Sequence, residues 1–292
     1  MAVLEKLGIN KKSVKKNWYK FSKNPLSIIG LVVVLSIVLI TILANVIAPY
    51  PEHAGWFTDF KNANLSPSLY HPFGTDTLGR DVLSRVMFGF RYSLMMAIVV
   101  LILVVPTGTS LGLIAGYYND TWLDTIIMRL TDIFVAIPSL VLAMMISALL
   151  EPSLFNAMLA VTLLWWPWYT RLVYGIACSM RNEYFIQSAE MIGASPFHIL
   201  MREILPNTLA PIFTKMTLDV AWVILIGSSL SFIGLGAQPP TPDLGTMVSD
   251  GYKYMPELWW ISIFPGFAIV FTILGFNLLG DGIRDMLAAE AY

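Results

Sequence analysis

Apolar residues in this chain come in long runs, with the charges gathered between them. Stretches free of Asp, Glu, Lys and Arg occupy 26–48, 92–119, 133–150, 152–170, 220–242 and 258–280. A helix crosses the hydrocarbon of a bilayer with about 20 apolar residues, within a range of roughly 17–25, and every run is near that length or beyond it. The third and fourth are parted only by Glu151-Pro152-Ser153. At about 1.5 Å per residue a single helix through both would far exceed the bilayer, so they read as a tight helical hairpin. The third helix is expected to start near Trp122 and to kink at Pro138, where the ring and the missing N–H interrupt the ladder. The pattern predicts an all-α polytopic membrane protein of six transmembrane helices. They are 26–48 and then about 92–119, 122–150, 152–174, 211–236 and 258–280, the last five forming a domain at 92–285.

Composition agrees. Of 292 residues, 57% are hydrophobic and 13% charged, with a mean hydropathy of +0.69, whereas soluble domains carry about 25% charged residues. So little polar surface cannot cover a soluble globule, which excludes a secreted disulfide scaffold, a disordered tail and an ordinary cytosolic enzyme. The net charge of −1 names no partner and gives no footing for nucleic acid. A single cysteine, Cys178, forms no intrachain disulfide. His53, His71 and His198 are far apart and sit in no ligand spacing, so no metal site is expected.

Charge placement matters more than its sum. Lys6, Lys11, Lys12, Lys15, Lys16, Lys20 and Lys23 all precede the first run, in a basic segment at 1–25. Positive charge near a span sets orientation, basic side inward. This predicts a multi-pass protein of the cell membrane with a cytoplasmic N-terminus and, after six spans, a cytoplasmic tail at 286–292. The first run is too long for a signal peptide, and no small-residue cleavage pattern follows it. The loop 49–91 then lies outside, despite Lys61, Arg80, Arg85 and Arg91, and the segment 171–219 lies inside with Arg181 and Arg202.

Within that inner segment, 178–207 has the grammar helix, turn, helix. Good helix formers run from Asn182 to Ile192, with Tyr184, Phe185, Ala189 and Ile192 on one side. Gly193 occupies the position where a left-handed residue ends a helix. Ser195 can cap a second helix with Pro196 at its first position, and that helix is expected to run through Phe197, Leu200 and Ile204 and stop before Pro206. Such helices either lie in the lipid interface or dock a cytoplasmic partner; the mixed face, poor in lysine, fits a protein groove better than lipid headgroups.

The same residues resemble the EAA loop of ABC-transporter permeases, a Glu-Ala-Ala, three residues, Gly, nine residues, Ile-x-Leu-Pro pattern. Ala189, Gly193, Leu205 and Pro206 match it, while Gln187, Ser188 and Glu203 depart from it. The segments NPLSIIGL (24–31), HPFGTDTLGRDVLSR (71–85), MRLTDIFVAIPSLVLA (128–143), SLSFIGLGAQPPTPDLG (229–245) and FNLLGDGIRD (276–285) resemble, in order, those of C-type permease subunits of dipeptide, oligopeptide and nickel importers. The resemblance implies a type I ABC importer permease fold with a cytoplasmic coupling helix, most similar to that of a dipeptide permease. It implies a second homologous permease subunit, two cytoplasmic ATPase subunits that bind the ATP and Mg, an extracytoplasmic substrate-binding protein, and no cofactor on this chain. It assigns the ATPase contact to Gln187, Ala189, Gly193, Ala194, Ser195, Pro196, Phe197 and Leu200. A nickel or other small-solute permease of the same family is the alternative, as is a secondary carrier, though no inverted repeat is visible.

Other motifs carry less. Gly108-Thr109-Ser110-Leu111-Gly112 satisfies the G-x-S-x-G of serine hydrolases, but no strand precedes it and no histidine lies in a span. With Gly116 it makes a glycine every fourth residue, the mark of a close helix contact. No G-x-x-x-x-G-K-[ST] occurs, so the chain is expected to hydrolyse no ATP by that route. Among the intramembrane charges, Arg129 with Asp132 and Lys215 with Asp219 read as local ion pairs, and Arg171 as snorkelling to the interface. Where the family pattern often has an acid, this chain has Gly227. In 71–85, Asp76 is expected to cap a helix on which Val82, Val86 and Phe90 share a face, with tight turns at Gly74 and Gly79. Gly74, Asp76, Gly79, Arg80 and Asp81 then belong to a structural collar, an outer gate or a contact for the binding protein.

Overall fold

The computed structural model describes residues 11–288; Lys6 and the end of the expected tail, 289–292, lie outside them. The helices are α1 (Lys11–Lys23), α2 (Pro25–Ile47), α3 (Val82–Tyr117), α4 (Trp122–Ala136), α5 (Ser139–Ala148), α6 (Leu154–Arg181), α7 (Tyr184–Met191), α8 (Pro196–Phe232), α9 (Leu244–Tyr252) and α10 (Trp260–Ala288). Among the described residues there is no named strand.

Four single helices are long and apolar enough to cross a membrane: α2, α3, α8 and α10. The α4–α5 pair, bent by 91° at its break, is a fifth if its halves make one span. The remaining expected span, the fourth in chain order, is α6, which has the length at 28 residues but less apolarity, because Trp165, Trp166, Pro167, Trp168, Tyr169 and Arg171 interrupt its run. The bend falls at Pro138. Ile137 before it is extended, as a residue before proline prefers, and Pro138 becomes the N-cap of α5.

Two boundaries differ from expectation. The second span starts at Val82, ten residues before the expected 92, and its N-cap is Asp81, whose Oδ2 accepts the Ser84 N–H at 2.7 Å; Asp76 does not cap it. The charges that seemed to bar a helix there are satisfied. Arg85 is buried and donates to the carbonyl of His53, and Arg91 donates to that of Thr41. The helix expected to stop before Pro206 instead continues to Phe232. Wide π-type turns over Ile199–Ile204, closed by the Leu205 N–H on the Leu200 carbonyl, precede the proline. They relieve its clash with the preceding turn and hand over to the α ladder where a missing N–H costs little.

The core forms where α3 packs along α6. Gly108, Gly112 and Gly116 face that helix so closely that a β-carbon on Gly112 would stand 2.6 Å from the Thr170 carbonyl oxygen. On the other side of the bundle α2 lies on α10, with Gly30 against the backbone of Leu278 and Leu279. The outer face of α2 leaves Leu26, Ile29, Val32, Leu39 and Val46 exposed, as a lipid-facing surface requires. Lys215 pairs with Asp219 at 3.1 Å. The expected Arg129–Asp132 pair does not form: α6 runs beside α4 and brings Arg171 onto Asp132, so Arg171 ends in an interhelical ion pair instead of snorkelling.

Candidate functional site: the coupling segment and the cap

At the end of α6 the chain turns through α7 and into α8. The turn between them is a Schellman motif: the Gly193 N–H bonds the Glu190 carbonyl at 3.0 Å and the Ala194 N–H bonds the Ala189 carbonyl at 3.0 Å. Gly193 has φ +86 and no atom within 4 Å of where a β-carbon would sit, so backbone conformation and not space calls for glycine. Ser195 Oγ then accepts the His198 N–H, with Pro196 at the first helical position.

This segment is anchored from below and apolar above. Ile186, Ile199 and Ile204 are fully buried against the bundle. Met191, Ile192 and Phe197 are 81%, 86% and 73% exposed, more than solvent-facing apolar side chains of a lone helix need. Gln187 and Ser195 are exposed with them, while Ala189, Ala194 and Leu200 are half-buried and fix the turn. Of the three isoleucine anchors only Ile204 was named from the sequence, in the apolar run of the second helix; the spacing of the three across two helices and a turn follows no single period. The polar link to α3 was not named either: Tyr117 Oη donates to Glu190 Oε1 at 3.0 Å, and Arg181 donates to the Tyr117 carbonyl while its guanidinium sits 5.4 Å from the centre of that ring. The end of one span is thereby tied to the exposed turn.

The second region is a cap built from 49–81 on the opposite end of α3. Gly74 and Gly79 both have positive φ, and a β-carbon on Gly79 would collide with the Asp59 carbonyl. Asp76 receives the backbone N–H groups of Leu78 and Arg80 on Oδ1 and the Arg80 side chain on Oδ2 at 2.7 Å, a turn closed on itself by an ion pair. Asp81 caps α3, bonds His71 Nδ1 at 2.9 Å, and donates its backbone N–H to His53 Nδ1. Burial pushes the His53 imidazole below its usual value, against the opposite pull of Glu52 and Asp81. As an acceptor at Nδ1 it is held neutral. Trp260 of α10 reaches in and donates to the Thr75 carbonyl.

All of Gly74, Asp76, Gly79, Arg80 and Asp81 are buried. They hold the cap together through their own hydrogen bonds, and Asp76 and Arg80 also line a cleft. Trp56, Phe60, Leu69 and Tyr70 are exposed on the cap, among polar residues such as Lys61, Asn62 and Asn64. A cleft of about 220 Å³ lies between Asp76, Arg80 and Arg85 on one side and Asp250, Lys253 and Tyr254 on the other. Ser110 of the hydrolase-like motif lies within α3, with no histidine in that helix.

Residues 108–290 match the family described as binding-protein-dependent transport system inner membrane component, and residues 14–67 match the N-terminal transmembrane domain of oligopeptide transport permease C. The chain is 40% identical over 285 residues to a dipeptide transport system permease protein, DppC, of Haemophilus influenzae, covering 95% of each. It is 41% identical to the probable D,D-dipeptide transport system permease protein DdpC of Escherichia coli K12, covering 92% of this chain and 89% of that one. A glutathione transport system permease protein, GsiD, of Escherichia coli O6:K15:H31 is 40% identical, with 92% and 88% covered. Among solved structures, a chain from inward-facing conformations of the MetNI methionine ABC transporter superposes with a TM-score of 0.57 at 18% identity, over 69% of this chain and 95% of that one.

Proposed function

Since the chain belongs to the family of binding-protein-dependent transport system inner membrane components, with a type I ABC importer permease fold, we propose that it carries dipeptides or short oligopeptides across the membrane and takes its motion from an ATPase at the Gly193 turn. The chain is the permease of such an importer; the finer roles are our reading. The observation that carries it is the exposed apolar turn, Met191 to Phe197, continuous with the spanning helix α8. A capped turn seated in a groove moves as a body with its partner, and α8 takes that displacement into the membrane. Gln187, Ala194, Ser195 and Pro196 frame the contact, with Ile192 and Phe197 as its apolar points.

A second permease subunit completes the pathway, and two ATPase subunits hold the ATP and Mg. The substrate-binding protein meets the exposed rim of Trp56, Phe60, Leu69 and Tyr70, above the buried collar of Asp76, Arg80 and Asp81. The basic residues of α1 support a cytoplasmic N-terminus. The test is reconstitution of the four-part complex with its binding protein in proteoliposomes. Import of a labelled dipeptide that needs both ATP and the binding protein is the expected result. Import of nickel or another solute with no peptide import would overturn the substrate, and ion-driven import by this subunit alone would overturn the mechanism.

A further inference from the structure

α8 carries a lysine and an acid midway along its length, and two cavities meet on them. Lys215, Asp219 and Trp222 follow each other at i, i+4 and i+7, so they form one stripe. One cavity, about 500 Å³, extends from that stripe along α8 towards Pro211 and Arg284. The other, about 360 Å³, extends the opposite way towards Ile226 and is walled by Trp165 and Trp168. Both reach the size of small-molecule pockets, roughly 300–1,000 Å³.

The junction is polar but buried. Asp219 is 3% exposed. Both of its oxygens face Lys215: Oδ1 accepts from Nζ at 3.1 Å and Oδ2 lies 3.1 Å from the same nitrogen. Trp165 Nε1, on the facing helix α6 and in the wall of the second cavity, is buried with no partner. Lys215 Nζ lies 5.2 Å from the Tyr169 ring centre and 6.0 Å from that of Trp168. Buried polar groups are nearly always paired, so the unpaired Trp165 indole N–H beside a buried ion pair marks a place that something polar fills. Aromatic faces around it favour a cation. An acid facing an amine in an otherwise uncharged stretch favours a ligand that brings one charge of each sign, because splitting the pair then leaves neither charge alone.

Resting on the reading of this chain as a peptide permease, we propose that the Lys215–Asp219 pair is a transit site for the zwitterionic ends of the peptide. Asp219 takes the α-ammonium within the indole wall, Lys215 takes the α-carboxylate, and the pair closes again once the peptide has moved from one cavity to the other. Gly227 supplies no such group: the space beside it is filled by Met96, whose Sδ would stand 2.1 Å from an added β-carbon. Asp219 is therefore the buried acid in the middle of this spanning helix.

The experiment uses the reconstituted complex and follows labelled zwitterionic dipeptide import beside ATP hydrolysis stimulated by loaded binding protein. Replacing the pair by apolar residues of similar size, Lys215→Met with Asp219→Leu, is expected to cut import per ATP at least tenfold while stimulated hydrolysis stays within twofold. Asp219→Asn keeps the shape and an acceptor for Lys215, and decides the matter if the double variant fails to co-purify with its partners; a fall of at least fivefold in import per ATP is expected. Import per ATP at the parent level in either assembled variant would overturn the proposal and mark the pair as structural. If the unmodified complex imports no peptide at all, the peptide reading fails first and the transit site fails with it.

Discussion

At the scale of single residues, backbone conformation and close approach set what each position tolerates. Gly193→Val strains a turn at φ +86 and re-aims the start of α8 without touching the bundle. Membrane insertion and pairing with the other permease are expected to survive, while import and stimulated hydrolysis fall about tenfold or more, equivalent to a loss of about 1.4 kcal/mol in coupling; normal import in a complex of normal composition would refute the contact at this turn. Gly112→Val fails differently. Its side chain meets the Thr170 carbonyl and the Val173 β-carbon, backbone-fixed atoms that cannot yield. A cost of about 1–3 kcal/mol is expected, read as a lower unfolding temperature of the purified subunit. His53 gives a pH dependence. Its imidazole is depressed by burial, so the unfolded cap binds the proton more readily than the folded one. The stabilisation is complete above about pH 6.5, the ordinary histidine value, and is lost as pH falls from there through the folded value. Hydrogen exchange in 53–81 should quicken on acidification below about pH 6.5, and His53→Gln should flatten that response.

At the scale of elements, the apolar runs were legible because lipid demands them: α2, α3, α8 and α10 each overlap a charge-free stretch. Their ends were not. Arg85 and Arg91 looked like loop charges, yet each finds a carbonyl on a neighbouring segment and is absorbed into α3. Pro206 looked like a stop, and a few wide turns carry the helix past it. In the coupling segment, the cap at Ser195 and the left-handed glycine could be read from residue types, because local chemistry fixes both. Ile186 and Ile199 could not, since what buries them comes from elsewhere in the chain. Removing that anchorage tests its worth. Ile199→Ala should cost about 2–5 kcal/mol, seen as faster exchange in α7 and the start of α8 with the spans unaffected.

At the scale of the whole molecule, orientation is the property that the bundle itself leaves open and that charge decides. With Cys178 replaced, a cysteine introduced at Asn64 in the exposed cap should react with a membrane-impermeant reagent from outside only; labelling from the cytoplasmic side alone would invert the topology and put the Gly193 turn on the wrong side for any ATPase. Asp76, Arg80 and Asp81 have the polarity of a docking surface, but the polarity is spent internally, on turns and a helix cap, once Trp260 and the loop at Asp59 close over them. What remains outside mixes Trp56, Phe60, Leu69 and Tyr70 with polar residues such as Lys61, Asn62 and Asn64, and no periodic signal in 49–70 announced it.

The unbroken course of α8 has one more consequence, for which changes in chain length the protein can survive. The Gly193 turn and the Lys215 stripe are fixed to one helical shaft with no loop between them to absorb a miscount. Deleting one residue between 206 and 214 turns one end relative to the other by about 100° and draws it in by about 1.5 Å, which aims the exposed knuckle away from its groove or the stripe away from its cavities. Adding four residues restores the angle to within about 40° but displaces the ends by about 6 Å. This stretch should therefore accept many substitutions and almost no insertion or deletion.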